Sequence, residues 1–139
     1  MKSNSRRKFI KNSTLASSIF IVPRHVLGGN GYTAPSDKLN IAGIGVGGRG
    51  ATVLEGCESE NIVALCDVDF SYASKTFKRY PDAKVYKDYR VMLDKQNDID
   101  AVVIGTPDHT HAVITMLAMG KGKHVYCEKP LAHTVFETR

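Results

Sequence analysis

The chain has 139 residues, 42% hydrophobic and 24% charged, with 12 Gly, 5 Pro, 3 Cys and no Trp. This globular balance excludes collagen-like, disulfide-scaffold and wholly disordered chains, and the length suits one domain. The formal charge of +5 is uneven. Of 19 Lys and Arg, six (Lys2, Arg6, Arg7, Lys8, Lys11, Arg24) fall in residues 1–28, which contain no Asp or Glu, leaving 13 against 14 acidic residues in the body. The body therefore has no electrostatic basis for binding a phosphate backbone, and no nucleic-acid partner is expected.

Ser5-Arg6-Arg7-Lys8-Phe9-Ile10-Lys11 leads into a weakly apolar stretch over 15–22 and then Pro23-Arg24-His25-Val26-Leu27-Gly28. A basic start, a short apolar middle and a small-residue exit make an export signal, with a basic structureless tail as the alternative. The apolar stretch is about half of the roughly 20 residues that span a bilayer, so no permanent membrane anchor is expected. Residues 1–28 match every fixed position of S-R-R-x-F-x-K and so resemble a twin-arginine signal. That resemblance implies the twin-arginine export machinery as a partner and a periplasmic or otherwise exported protein. The route carries proteins already folded, often around a cofactor. Residues 29–37 (GNGYTAPSD) read as a linker.

From residue 38 short apolar runs alternate with helical stretches. Strands are expected over 39–44, 62–66, 85–86, 101–104 and 124–127, and helices over 48–57, 70–80, 89–96 and 111–119, with a further helix opening after 132–134. This alternation predicts an α/β fold: a Rossmann-like doubly wound parallel sheet over 38–139. Such a sheet usually continues to a sixth strand and has a partner domain closing its crevice, so the chain reads as the N-terminal part of a two-domain protein. Cys57, Cys66 and Cys127 lack C-x-x-C spacing, so no metal site is expected. Buried thiols are the default reading for them, and a bridged pair the alternative.

Gly43-Ile44-Gly45-Val46-Gly47-Gly48 fits G-x-G-x-x-G at a strand-to-helix junction. In this register Gly43 makes the turn, Gly45 lets a pyrophosphate approach, and Gly48 packs helix on strand. Asp67 follows Gly48 by 19 positions at the end of the second strand, where a carboxylate accepts hydrogen bonds from ribose hydroxyls and repels a 2′-phosphate. NAD is preferred over NADP accordingly, unless Arg49 reaches a 2′-phosphate. Asp69, Asp98 and Asp100 read as solvated or capping carboxylates. Thr106-Pro107-Asp108-His109-Thr110-His111 follows the fourth strand at its carboxyl end, where ligands bind in open α/β sheets. A helix-start cap is the alternative for either His. Glu128-Lys129-Pro130 follows the fifth strand. Lys129 is the candidate to hold a substrate hydroxyl, against a purely structural Glu128–Lys129 pair, and a cis bond is expected before Pro130.

The glycine run, T-P-x-x-x-H at Thr106 to His111 and E-K-P at Glu128 to Pro130 together resemble the Gfo/Idh/MocA oxidoreductases over about 38–139. The resemblance implies that the backbone of Gly43, Gly45, Val46, Gly47, Gly48 and Arg49 holds the pyrophosphate and Asp67 the adenosine ribose. Thr106, Pro107 and His111 would line the nicotinamide-ribose pocket, Glu128 would contact the nicotinamide end, and Lys129 would act catalytically. The family's second domain, an open antiparallel sheet, would supply further catalytic residues and a route to homo-oligomers. The implied activity is hydride transfer between NAD and a sugar or polyol CH–OH. One alternative is an NAD-dependent glycoside hydrolase of the α-N-acetylgalactosaminidase type; another is a non-catalytic nucleotide-binding fragment.

Overall fold

The computed structural model of the protein describes Gly28 and residues 33–139. The twin-arginine run and most of the linker lie outside the described residues. The chain divides into two units, residues 1–37 and 38–139. In the first, the described residues form a 3₁₀ turn over Pro35–Asp37.

The second unit is built on five parallel strands: β1 (Asn40–Ile44), β2 (Asn61–Cys66), β3 (Lys84–Tyr86), β4 (Ala101–Ile104) and β5 (His124–Cys127). Their order is β3-β2-β1-β4-β5. Helices alternate with them: α1 (Arg49–Glu55), α2 (Ser74–Arg79), α3 (Tyr89–Lys95), α4 (His111–Gly120) and, after β5, α5 (Val135–Thr138). The apolar runs become strands because successive side chains point to opposite faces, and here both faces are covered. From β1, Ala42 and Ile44 join Met92 and Leu93 of α3 and Ile114 and Ala118 of α4. The alternate residue Ile41 joins Leu54 of α1 on the other face, with Ala73 and Phe77 beside it. Leu54 and Leu65 are fully buried, worth about 1.5–3 kcal/mol each. The result is the expected doubly wound parallel sheet.

Polar groups fix where the central strand begins. The Asn40 amide donates to the Asp100 carboxylate at 2.8 Å, and the Leu39 amide to the Glu60 carboxylate at 2.7 Å. Asp100 thus ties the starts of β1 and β4 together. The expected helix over 70–80 begins instead at Ser74. Its first residues are captured by Asp69, whose Oδ1 accepts from the Ser71 and Tyr72 amides at 3.0 Å each. Such a local side-chain acceptor outcompetes helix propagation. α5 opens with a capping box in which Thr134 and Glu137 satisfy each other's backbone amides.

The sheet order places the topological switch between β1 and β4. The chain moves outward from β1 through β2 to β3, then returns to the opposite side of β1. A crevice therefore opens at the carboxyl ends of β1 and β4, where ligands of such sheets bind.

Candidate functional site

Three strand exits line this crevice in register. The Gly45 amide donates to the Cys66 carbonyl at 2.8 Å, the Gly105 amide to the Ile44 carbonyl at 2.8 Å, and the Glu128 amide to the Ile104 carbonyl at 2.9 Å. The turn after β1 is made by Gly45, at φ 75°, a conformation costly to any residue with a Cβ. A Cβ there would also come within 2.7 Å of the Thr106 amide.

The glycine roles differ from those read off the sequence. Gly43 is inside β1, paired with Leu65 and Val103, so it makes no turn. Close helix-to-strand approach belongs to Gly50 rather than Gly48. A Cβ at Gly50 would collide with the Gly45 carbonyl, and one at Gly105 would collide with the Gly50 Cα. The pattern therefore runs two residues later, Gly45-x-Gly47-x-x-Gly50, a register equally present in the sequence and overlapping the expected one. Gly50 and Gly105 were both missed. Gly50 was legible only as the end of that second register; Gly105, directly after β4, carried no local signal. Gly48 instead faces Tyr72, whose hydroxyl would lie 2.7 Å from a Cβ there.

A cavity of about 550 Å³ opens beside this turn, lined by Gly47, Gly48, Asp67, Tyr72, Thr106 and Pro107 among others. Asp67 stands at its edge: Oδ2 accepts from the Gly47 amide at 2.9 Å and Oδ1 from the Asp69 amide at 3.0 Å. One carboxylate thus joins the glycine turn to the exit of β2, while no side chain caps the start of α1. Behind it, burial foremost, followed by the charges of Asp67 and Asp88, pushes the Cys66 thiol up to about 12. Cys66 is buried and Cys57 and Cys127 are half-buried; none is bridged.

A second, smaller recess of about 320 Å³ brings together Arg49, Thr106, His111, Glu128 and Lys129. Arg49 Nε pairs with the buried Glu128 carboxylate at 3.4 Å. Arg49 also lines the larger cavity, so its side chain stands between the two recesses. Lys129 is exposed and forms no ion pair with Glu128, and the Lys129–Pro130 bond is cis, as expected.

His111 is 2% exposed, with both ring nitrogens engaged. Nδ1 lies 2.7 Å from the Pro130 carbonyl and Nε2 lies 2.8 Å from the Thr106 carbonyl. Carbonyls only accept, so both contacts are hydrogen bonds only when each nitrogen carries a proton. The ring straps the turn after β4 to the turn after β5. Thr106 is further fixed by a 2.7 Å bond to the Thr110 hydroxyl, while His109 stays exposed, its Nδ1 3.8 Å from the Asp108 carboxylate. Among the described residues no cluster of three or more His, Cys, Asp or Glu is placed to hold a metal, and no helix is long and apolar enough to cross a membrane.

The family described as "Oxidoreductase family, NAD-binding Rossmann fold" matches residues 39–139. Inositol 2-dehydrogenase of Salmonella typhimurium (strain LT2) is 35% identical over 103 residues, covering 70% of this chain and 30% of that protein. A glycosyl hydrolase family 109 protein of Shewanella putrefaciens is 36% identical over 141 residues, covering 92% of this chain and again 30% of the relative. Among solved structures, myo-inositol 2-dehydrogenase of Lactobacillus plantarum superposes with a TM-score of 0.66 at 30% identity, over 72% of this chain and 30% of that one. Myo-inositol dehydrogenase of Lactobacillus casei, solved with NAD(H) and myo-inositol, gives 0.66 at 28% identity, over 72% and 31%. The chain spans about a third of the length of these relatives. With its sheet order, its glycine turn and its match over 39–139, the chain belongs to the Gfo/Idh/MocA oxidoreductase family, and residues 39–139 match the family's NAD-binding Rossmann fold.

Proposed function

We propose that the chain is the nucleotide-binding part of an exported NAD-dependent oxidoreductase that moves hydride between a sugar or polyol CH–OH carbon and the nicotinamide. The observation carrying this reading is Asp67, held against the Gly47 amide at the cavity edge, where it can accept from ribose hydroxyls. The fit to a dinucleotide is steric as well as polar: Gly45 and Gly50 sit where any side chain would collide with the turn. Preference for NAD over NADP is supported by two carboxylates, Asp67 and Asp69, on the same cavity wall.

When bound, NAD supplies the hydride acceptor. The start of α1 at Gly48 and Arg49 would hold the pyrophosphate on backbone amides, the Gly45 and Gly47 amides being engaged by the Cys66 carbonyl and the Asp67 carboxylate, and Asp67 would hold the adenosine ribose. Thr106 and Pro107 wall the crevice, and His111 keeps Thr106 and the Lys129–Pro130 turn in fixed relation. Glu128 would meet the nicotinamide end, and Lys129 Nζ would hold the substrate oxygen. In an exported enzyme free NAD is scarce, which favours a tightly held cofactor regenerated within each turnover.

Asp67→Ala is expected to weaken NADH binding several-fold, since a charge-assisted contact contributes about 1.5–3 kcal/mol. A fluorescence titration checks this, and unchanged affinity would remove the ribose assignment. In the complete protein, Lys129→Met is expected to abolish turnover while nucleotide stays bound; normal turnover would make Lys129 structural.

A second reading is an NAD-dependent glycoside hydrolase that oxidises a sugar carbon, eliminates the aglycone and reduces again. It is favoured by the family 109 match, which extends over 92% of this chain. Aglycone release without net NADH would decide for it.

A further inference from the structure

One wall of the larger cavity comes from neither the strand ends nor the glycine turn. Tyr72 sits in the turn ahead of α2, its backbone fixed by Asp69: the Ser71 and Tyr72 amides donate to Oδ1, and the Ala73 amide donates to the Asp69 carbonyl, each at 3.0 Å. The ring lies across the phosphate-side turn. A Cβ at Gly47 would collide with the ring edge, and a Cβ at Gly48 would sit 2.7 Å from the hydroxyl oxygen. Yet Tyr72 is 64% exposed, so apolar burial does not account for this placement. Its neighbours behave otherwise. Phe70 packs edge-on against Phe77 at 5.2 Å, and the hydroxyls of Tyr80 and Tyr86 donate to Glu58 and Gln96. The Tyr72 hydroxyl hydrogen-bonds no other described residue and faces the cavity that Asp67 lines.

We propose that Tyr72 is a cofactor-binding residue of this chain: its hydroxyl donates to a pyrophosphate oxygen of a dinucleotide seated on Gly47 and Gly48. The proposal rests on the dinucleotide reading above. A phosphate oxygen brought against those two backbone units falls within reach of a phenol already in contact with them, and an O–H donor to an anionic oxygen is among the stronger hydrogen bonds. It also explains two consecutive glycines: side chains at 47 and 48 would displace the ring along with the phosphate.

NADH fluorescence titration of the full chain, with competition by ADP-ribose and by adenosine, tests the proposal. Tyr72→Phe keeps the ring and removes only the donor, so the turn is expected to stay folded. About tenfold weaker binding of NADH and ADP-ribose, with adenosine unchanged, is the expected result. Unchanged NADH affinity in Tyr72→Phe overturns the proposal and leaves the dinucleotide reading standing. Equal weakening of adenosine overturns it too, by making the contact one to base or ribose. Tighter binding in Tyr72→Ala overturns it by making the ring an obstruction. If the unaltered chain binds no NADH, the dinucleotide reading falls and this proposal with it.

Discussion

Gly50 is the residue on which the turn closes. Its Cα lies against Gly105 and the Gly45 carbonyl, so helix α1 meets β1 and β4 backbone to backbone. Gly50→Ala forces those three segments apart. Overpacking of this kind typically costs about 1–3 kcal/mol, and here it displaces the glycine turn as well. A lower unfolding midpoint together with weakened NADH binding is the expected outcome. Gly120→Ala is the matching control, because a Cβ there meets nothing within 4 Å, and its unfolding midpoint is expected to stay level or rise slightly. The need for glycine was readable in the sequence as a cluster, but its register was not. Gly43-x-Gly45-x-x-Gly48 and Gly45-x-Gly47-x-x-Gly50 overlap, and only the end of β1 at Ile44 decides between them.

At the scale of elements, the crevice is held together by contacts between loops rather than within them. α4 carries His111 at its first turn, and that one ring joins the exits of β4 and β5. His111→Leu keeps the helix and the buried volume but removes the donor on which at least one of the two carbonyls relies. A loss of about 1–3 kcal/mol is expected, the cost of one buried polar group left unpaired. Urea unfolding measures it, and a loss near zero would mean that the strap carries no stability. The T-P-x-x-x-H run was legible as lying at a strand's carboxyl end, but its partner, the Pro130 carbonyl, is 19 residues away. No local pattern encodes such a pairing. The delayed start of α2 has a similar cause, since the Asp69 carboxylate captures amides that periodicity assigned to a helix.

Across the whole molecule, the buried and partnered titrating groups set a pH range. Cys66 stands at about 12 in the fold against an ordinary 9.0, raised first by burial. The folded state therefore keeps the thiol proton more tightly than the unfolded chain does. Its contribution is fully present below pH 9 and is lost as pH rises through about 12. Tyr80, pushed up to about 12 by burial and then by its bond to Glu58, acts in the same sense above pH 10. Glu58 is held below its usual range, first by its hydrogen bond from Arg79, so its small, solvent-screened contribution disappears as pH falls through that lowered value. The urea midpoint is thus expected to drop between pH 9 and 11, and Cys66→Ala to flatten that limb. In the native chain Cys66 is also expected to resist alkylation until denaturant is added.

What the sequence by itself determined is the alternation of apolar runs and helical stretches, hence the parallel sheet, its two covered faces and the end of the sheet at which a ligand binds. Those features follow from periods of two and of about 3.6 residues, which are local properties of the chain. Tertiary structure alone decided which glycines close the turn, that Arg49 pairs with Glu128, that His111 bridges two loops, and that Tyr72 lies over the glycine turn. Each of these is a contact between segments brought together by sheet order. A periodic pattern records which face a residue takes, and carries no information about which distant loop it meets there.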